Sequence, residues 1–298
     1  MKIIGIVVTF FLFLLTGCGN DSKDLNVIVP NGAPALSQIF VDENQNNVNT
    51  TYVSGAQALQ AAFNSDDYDF IYAPVNLGAK FYNNNAKYKL AAGVTFGNLY
   101  FATTLEIDFD IMDLNDYDVV LFGENTVNDM IIKTIFQKYN LSPNVRYVVS
   151  VDDVKKEFLV DSNKIYLLAE PVLSALKQVT AKEVKILDCQ TLYGENAYIQ
   201  AAVFVNKNTI SKDIKTVNKY LNALEKSCNL VNEDKDQAAK LAEKLAIGLP
   251  KKEVLVNAIS GCNVRYLEGK SCQVIFEEMF KDNLGFIGNK LPDENFYY

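Results

Sequence analysis

The chain has 298 residues, 49% of them hydrophobic and 21% charged, which marks it as globular and long enough for two lobes. Its formal net charge of −8 argues against nucleic acid or an anionic membrane surface as a partner. There is no histidine, which removes the usual general base near neutral pH and the commonest zinc and iron ligand. No cofactor and no metal are expected.

The N-terminus reads as an export signal. Lys2 precedes an apolar run over residues 3–15, and Leu15-Thr16-Gly17-Cys18 follows. A charged start, a short apolar stretch and a small-residue site are the parts of a secretory signal. The run is too short for a mature membrane-spanning helix, which needs about 20 residues. Leu-Thr-Gly-Cys resembles a bacterial lipobox, whose cysteine thiol accepts lipid and becomes the new N-terminus. Residues 1–17 are thus expected to be a signal peptide and residues 18–24 a tether from Cys18 carrying palmitate. More than one acyl chain, at about 0.8 kcal/mol per CH₂, anchors stably. The mature chain would lie outside the cytoplasm, on the cell surface or in the periplasm, held to the membrane through that lipid.

Beyond the tether, short apolar strands alternate with helices. Residues 25–29 form a strand, and Asn31-Gly32-Ala33-Pro34 opens a helix reaching about Phe40, Pro34 fitting the first helical turn. Residues 44–49 are a polar turn, 51–53 a strand, and Ser54 or Gly55 caps a helix over 56–63. Residues 69–73 are a strand, and Pro74-Val75-Asn76 turns into a helix over 77–82. A strand over 118–122 leads through Gly123-Glu124-Asn125 into a helix carrying Val127, Ile131, Ile135 and Tyr139 on one face. A strand over 165–169 is followed by Glu170-Pro171 and a helix over 172–178.

Five strand–turn–helix units in this order predict an α/β fold with parallel-dominated sheets. Two apolar stretches, 99–103 and 200–205, divide the chain. They suggest two lobes joined by two crossings: residues 25–105 with 206–298, and residues 106–205. The remaining helical stripes, such as Ile214, Val217, Leu221 and Leu224, read as core. Cys262 and Cys272 flank a short polar loop and could form a disulfide outside the cell. The alternative is that they are small buried hydrophobes, like Cys189 and Cys228.

In open parallel sheets, ligands bind outside the carboxyl ends of the strands. The candidate ligand-binding residues are therefore those in and around the turns: Asn31, Gly32, Ser54, Pro74, Asn76, Phe96, Asn98, Asn125, Thr126, Glu170, Tyr193 and Tyr198. A lone Asn or Glu at such a turn is more often a helix cap. Neither arginine, Arg146 or Arg265, lies in a candidate turn. Amides with a carboxylate and aromatic faces suit a neutral or weakly cationic heterocycle. Helix N-termini alone can hold an anion.

Several stretches carry a family resemblance: residues 68–76 with their strand-to-helix turn, 90–104 as a strand pair entering a hinge, Ala169-Glu170-Pro171-Val172, 200–206 as a returning hinge strand, and the tail 290–298. In this order they resemble the bacterial periplasmic-binding-protein-like lipoproteins of ABC transporters, of the nitrate/taurine/alkanesulfonate type that includes thiamine-pyrimidine binders. The resemblance implies a type II two-lobed substrate-binding protein, a monomer, that closes on a small solute and delivers it to an ABC permease and its ATPase. Some relatives make the thiamine pyrimidine with a histidine and iron, and this chain has no histidine. Glu124, Glu170 and Glu195 could serve as an acid–base set, but solvated or capping carboxylates are the commoner reading, and no enzyme is expected. A lipid-anchored surface adhesin on the same fold is the remaining alternative.

Overall fold

A computed structural model describes residues 24–194 and 198–298. The expected signal peptide, Cys18 and Glu195 lie outside the described residues.

Three strand–helix units open the chain: β1 (Leu25–Pro30) with α1 (Ala33–Asn44), β2 (Val48–Val53) with α2 (Ala56–Asn64), and β3 (Phe70–Pro74) with α3 (Val75–Asn85). β4 (Tyr88–Thr95) leads to β5 (Leu99–Thr103). Three further units follow: β6 (Val119–Phe122) with α4 (Val127–Lys138), β7 (Val145–Val148) with α5 (Val151–Val160), and β8 (Ile165–Ala169) with α6 (Val172–Val179). Then come β9 (Lys185–Asp188), α7 (Cys189–Tyr193) and β10 (Ala201–Asn206). The C-terminal part holds α8 (Lys207–Lys212), α9 (Ile214–Glu233), α10 (Lys235–Lys244), α11 (Lys252–Ala258), β11 (Val264–Glu268) and α12 (Gln273–Phe280).

The strands form two sheets, in the orders β11-β4-β10-β3-β1-β2 and β7-β6-β8-β5-β9. β1, β2 and β3 are parallel, as are β6, β7 and β8, while β10 and β5 run against them. The first sheet is covered on both faces, which is why its strands read as near-continuous apolar runs. Strand alternation sends Ile28, Ile71 and Phe204 to a core with α2, α3 and α12. Val27, Val29, Phe70, Tyr72 and Val203 go to the other face, against α1, α9 and α10. On that second face the buried Gln38 Oε1 accepts from Tyr72 Oη (2.7 Å) and Tyr220 Oη (2.8 Å), so these polar groups are paired.

Several sequence expectations shift. The unit β7–α5 does not announce itself, because β7 is a half-exposed edge strand carrying Arg146, whose guanidinium pairs with Glu157 on α5. β2 begins at Val48, inside the expected polar turn, because Leu25 to Pro30 supplies it with a full parallel partner. β5 pairs in the second sheet and β10 in the first, so each lies across the expected lobe division. The suggested Cys262–Cys272 disulfide is corrected: both are free, buried thiols. Cys262 joins the core on the α1–α9 face and Cys272 the opposite one, with β11 between them in the chain. The Cys272 thiol donates instead to Leu267 O at 3.4 Å.

Candidate functional site: the cleft between the sheets

Parallel pairing places the carboxyl ends of β1, β2 and β3 along one edge of the first sheet. β4 also ends there, at Thr95, and β10 begins there, at Ala201 opposite Pro74. Three residues, Phe96-Gly97-Asn98, carry the chain from β4 into β5, and the return reaches β10 through Gln200. The two sheets therefore face each other across their carboxyl ends, where open α/β sheets bind ligands. Between them lies a cleft of about 450 Å³, lined from the first lobe by Asn31, Ser54, Pro74 and Thr95 and from the second by Phe122, Thr126, Asn128, Ser150 and Asp152. Asn98 and Gln200 line it from the crossings. The volume suits a small solute.

Helix starts make much of the lining. α1, α2 and α3 begin at Gly32, Gly55 and Pro74 without a side-chain cap, which leaves first-turn N–H groups for solvent or solute. Positive φ at Gly32 (100°) and Gly55 (85°) turns the chain from strand into helix within three residues. In the second lobe Thr126 Oγ1 caps α4 through Asn128 N (3.3 Å), and Ser150 Oγ caps α5 through Asp153 N (3.2 Å). The loop entering α4 is held from below by Asp129, which is 1% exposed. Its carboxylate accepts from Asn125 N (2.9 Å), Tyr147 Oη (2.6 Å) and Lys133 Nζ (2.9 Å).

Hydrogen bonds tie the crossings together and leave particular atoms free. Asn98 Nδ2 donates to Glu170 O (2.7 Å), Glu170 N donates to Asn98 O (2.9 Å), and Asn98 N donates to Gln200 Oε1 (3.1 Å). Gln200 Nε2 reaches Asn128 Oδ1 on α4 at 3.0 Å. Because the Glu170 carbonyl can only accept, the Asn98 amide is oriented by it, and Asn98 Oδ1 remains a buried acceptor without a partner among the described residues. Asn31 Nδ2 donates to Ser54 Oγ (2.9 Å), and Asn31 Oδ1 and Thr95 Oγ1 are likewise buried and unpartnered among the described residues. Buried polar atoms without partners are uncommon in native folds, and three of them line this one cleft. Asp152 is the one charged side chain in that lining among the described residues.

Of the sequence-predicted residues, Asn31, Ser54, Pro74, Asn98 and Thr126 line the cleft, and Gly32 caps the helix beside it. Asn76 and Asn125 line an adjoining recess that shares Pro74 and Thr126. Four residues are placed elsewhere. The Glu170 carboxylate turns back to accept from Ser174 N (3.0 Å) and Ser174 Oγ (2.8 Å) in the first turn of α6, and burial pushes its pKa above the usual range. The Phe96 ring lies under the Arg265 guanidinium, 3.8 Å from its centroid, in a separate recess. Tyr193 and Tyr198 pack edge to face at 5.2 Å, with Tyr198 fully buried. The aromatic ring that does line the cleft is Phe122, the last residue of β6.

Sequence reasoning also missed Asn128, Ser150, Asp152 and Gln200. Ser150 with Asp153 three residues on is a legible helix-start signal, but without β7 it has no strand before it to place it at the cleft.

No family model matches the chain, and no curated protein matches it. Solved structures do. An ABC transporter from Parabacteroides distasonis superposes with a TM-score of 0.79 at 20% identity, covering 93% of this chain and 99% of that one. The periplasmic aliphatic sulphonate binding protein SsuA of Escherichia coli gives a TM-score of 0.72 at 12% identity, covering 93% of this chain and 92% of that one. The alkanesulfonate-binding protein SsuA of Xanthomonas axonopodis, bound to MOPS, gives 0.66 at 14% identity, covering 91% and 96%. The chain thus has the two-lobed α/β fold of the periplasmic binding proteins of ABC transporters.

Proposed function

We propose that this chain is the lipid-anchored, extracytoplasmic solute receptor of an ABC importer. Its lobes close on a small neutral or weakly cationic heterocycle, such as a vitamin precursor, which it passes as a monomer to a permease coupled to an ATPase. The observation that carries this reading is the cleft itself, which among the described residues holds unpartnered acceptors Asn31 Oδ1 and Asn98 Oδ1, apolar walls including Phe122, and a single carboxylate, Asp152. A ring with N–H donors satisfies those acceptors, and its faces find Phe122 and the prolines. The chain's fold relatives include sulphonate binders, and the uncapped starts of α1, α2 and α3 favour a small anion as the second reading. Against it, no Lys or Arg lines the cleft among the described residues, and an anion would face Asp152 and two free acceptors.

Titration calorimetry with a panel of aminopyrimidines, taurine, alkanesulfonates and nitrate tests this. The reading expects micromolar binding of a pyrimidine-like ligand, about −8 kcal/mol, weakened at least tenfold by Asn98→Ala. Taurine or a sulfonate binding at that strength while the heterocycles do not would replace the heterocycle by the anion. Absence of a permease and ATPase gene pair nearby would favour the adhesin instead.

A further inference from the structure

Beside the cleft lies a second recess, of about 610 Å³, which shares Ala56, Pro74 and Thr126 with it. We propose that this recess is a second subsite for the same solute and takes an α-amino-acid head, so that the solute is a ring carrying a zwitterionic group. The proposal rests on the solute-receptor reading above.

Three features of the recess point to a zwitterion. Asn76, on the first turn of α3, is 7% exposed and its Oδ1 is buried without a partner among the described residues. α3 has no side-chain cap at Pro74; Val75 N donates to Gln200 O (3.1 Å), and no side chain caps the N–H groups that follow it at the positive end of the helix dipole. Lys80, one turn further along the same face, and Asp282 both line the recess and make no ion pair among the described residues. A solute carboxylate is complemented by Lys80 and the start of α3, and a solute ammonium by Asp282 and Asn76 Oδ1. A simple anion would leave Asp282 facing like charge, and a simple cation would leave Lys80 so; a zwitterion satisfies both. The cleft next to it offers apolar walls and unpartnered acceptors, which suit the ring. The shared Pro74 and Thr126 place the two halves side by side.

Matched probes separate the two halves. Calorimetry on the mature chain compares uracil with 3-(uracil-1-yl)alanine, imidazole with histidine, and indole with tryptophan. In at least one pair the amino acid binds at least tenfold more tightly than its ring. Lys80→Met and Asp282→Asn, both at exposed positions, each cut that gain below threefold and leave the ring's own affinity unchanged. Equal affinity of ring and amino acid in every binding pair, or a gain that survives both substitutions, overturns the subsite while the receptor reading stands. If neither member of any pair binds, the heterocycle reading and the subsite fall together.

Discussion

Gly97 stands where the chain crosses from one sheet to the other, and its replacement by alanine tests how tightly that crossing is built. Its φ of 89° is a conformation that side chains with a Cβ adopt at a cost of about 1–2 kcal/mol. An added Cβ would also meet Tyr198 Cζ at 2.6 Å and Gln190 Cγ at 2.7 Å. Neither neighbour yields without cost. Tyr198 is fully buried against Tyr193, and Gln190 Nε2 is committed to Gly97 O at 2.5 Å. Overpacking of this kind costs about 1–3 kcal/mol more, and the lost freedom of the unfolded chain returns about 0.4–1 kcal/mol. The net expectation is a loss of about 2–4 kcal/mol, read by urea unfolding followed by circular dichroism. In a chain of this size each kcal/mol corresponds to about 2–4 °C in Tm. Gly55→Ala is the control: φ is 85° and ψ 158° there, a region almost confined to glycine, but nothing lies within 4 Å of the new Cβ, so only the backbone strain remains, about 1–3 kcal/mol. If Gly97→Ala costs no more than Gly55→Ala, the close packing behind the crossing is not what holds it.

Asp129→Ala removes the acceptor for Asn125 N and Tyr147 Oη and is expected to cost about 1–3 kcal/mol in urea unfolding; a loss below 0.5 kcal/mol would show that the loop entering α4 does not depend on it. For Glu170, burial raises the folded-state pKa above the unfolded value of about 4.3. The native state then holds the proton more tightly, so this group's contribution to stability falls as pH rises from about 4.3 through the raised pKa. Glu170→Gln should flatten that part of the stability–pH curve, and an unchanged slope would contradict it. The four described cysteines are free and buried, with the Cys272 thiol pushed up to about 12 by burial. None should react with Ellman's reagent in the native protein and all four should react in denaturant; two missing thiols would restore the disulfide. Cys18→Ser should abolish labelling by palmitate, and undiminished labelling would remove the lipid anchor.

The parallel α/β class was legible because the strands of a doubly covered sheet are short apolar runs, and because each is followed by a cap or a proline at a helix start. That pattern is local and survives without knowledge of neighbours. It located the starts of α1, α2, α3, α4 and α6, and with them Asn31, Ser54, Pro74, Asn76 and Thr126 at the cleft or the recess beside it. It failed at β7, where one face is open to solvent and the apolar run is broken by Arg146, so the cleft residues Ser150 and Asp152 had no strand to follow.

What the sequence by itself determined is the alternation of strands and helices and the placing of amides and hydroxyls at strand ends, since both follow from the order of residues over a few positions. Which way those side chains turn was decided only by tertiary structure. Glu170 and Asn98 meet across 72 residues of chain, and their hydrogen bonds commit the Glu170 carbonyl to the Asn98 amide while Ser174 draws the carboxylate away to α6. The same contact leaves Asn98 Oδ1 buried and, among the described residues, unpartnered at the cleft. Cys262 and Cys272 are ten positions apart, yet β11 carries them to opposite faces of one sheet. Such outcomes depend on partners distant in the chain, and the physical reason they escape sequence reading is that a polar side chain's role is set by which donor or acceptor reaches it first.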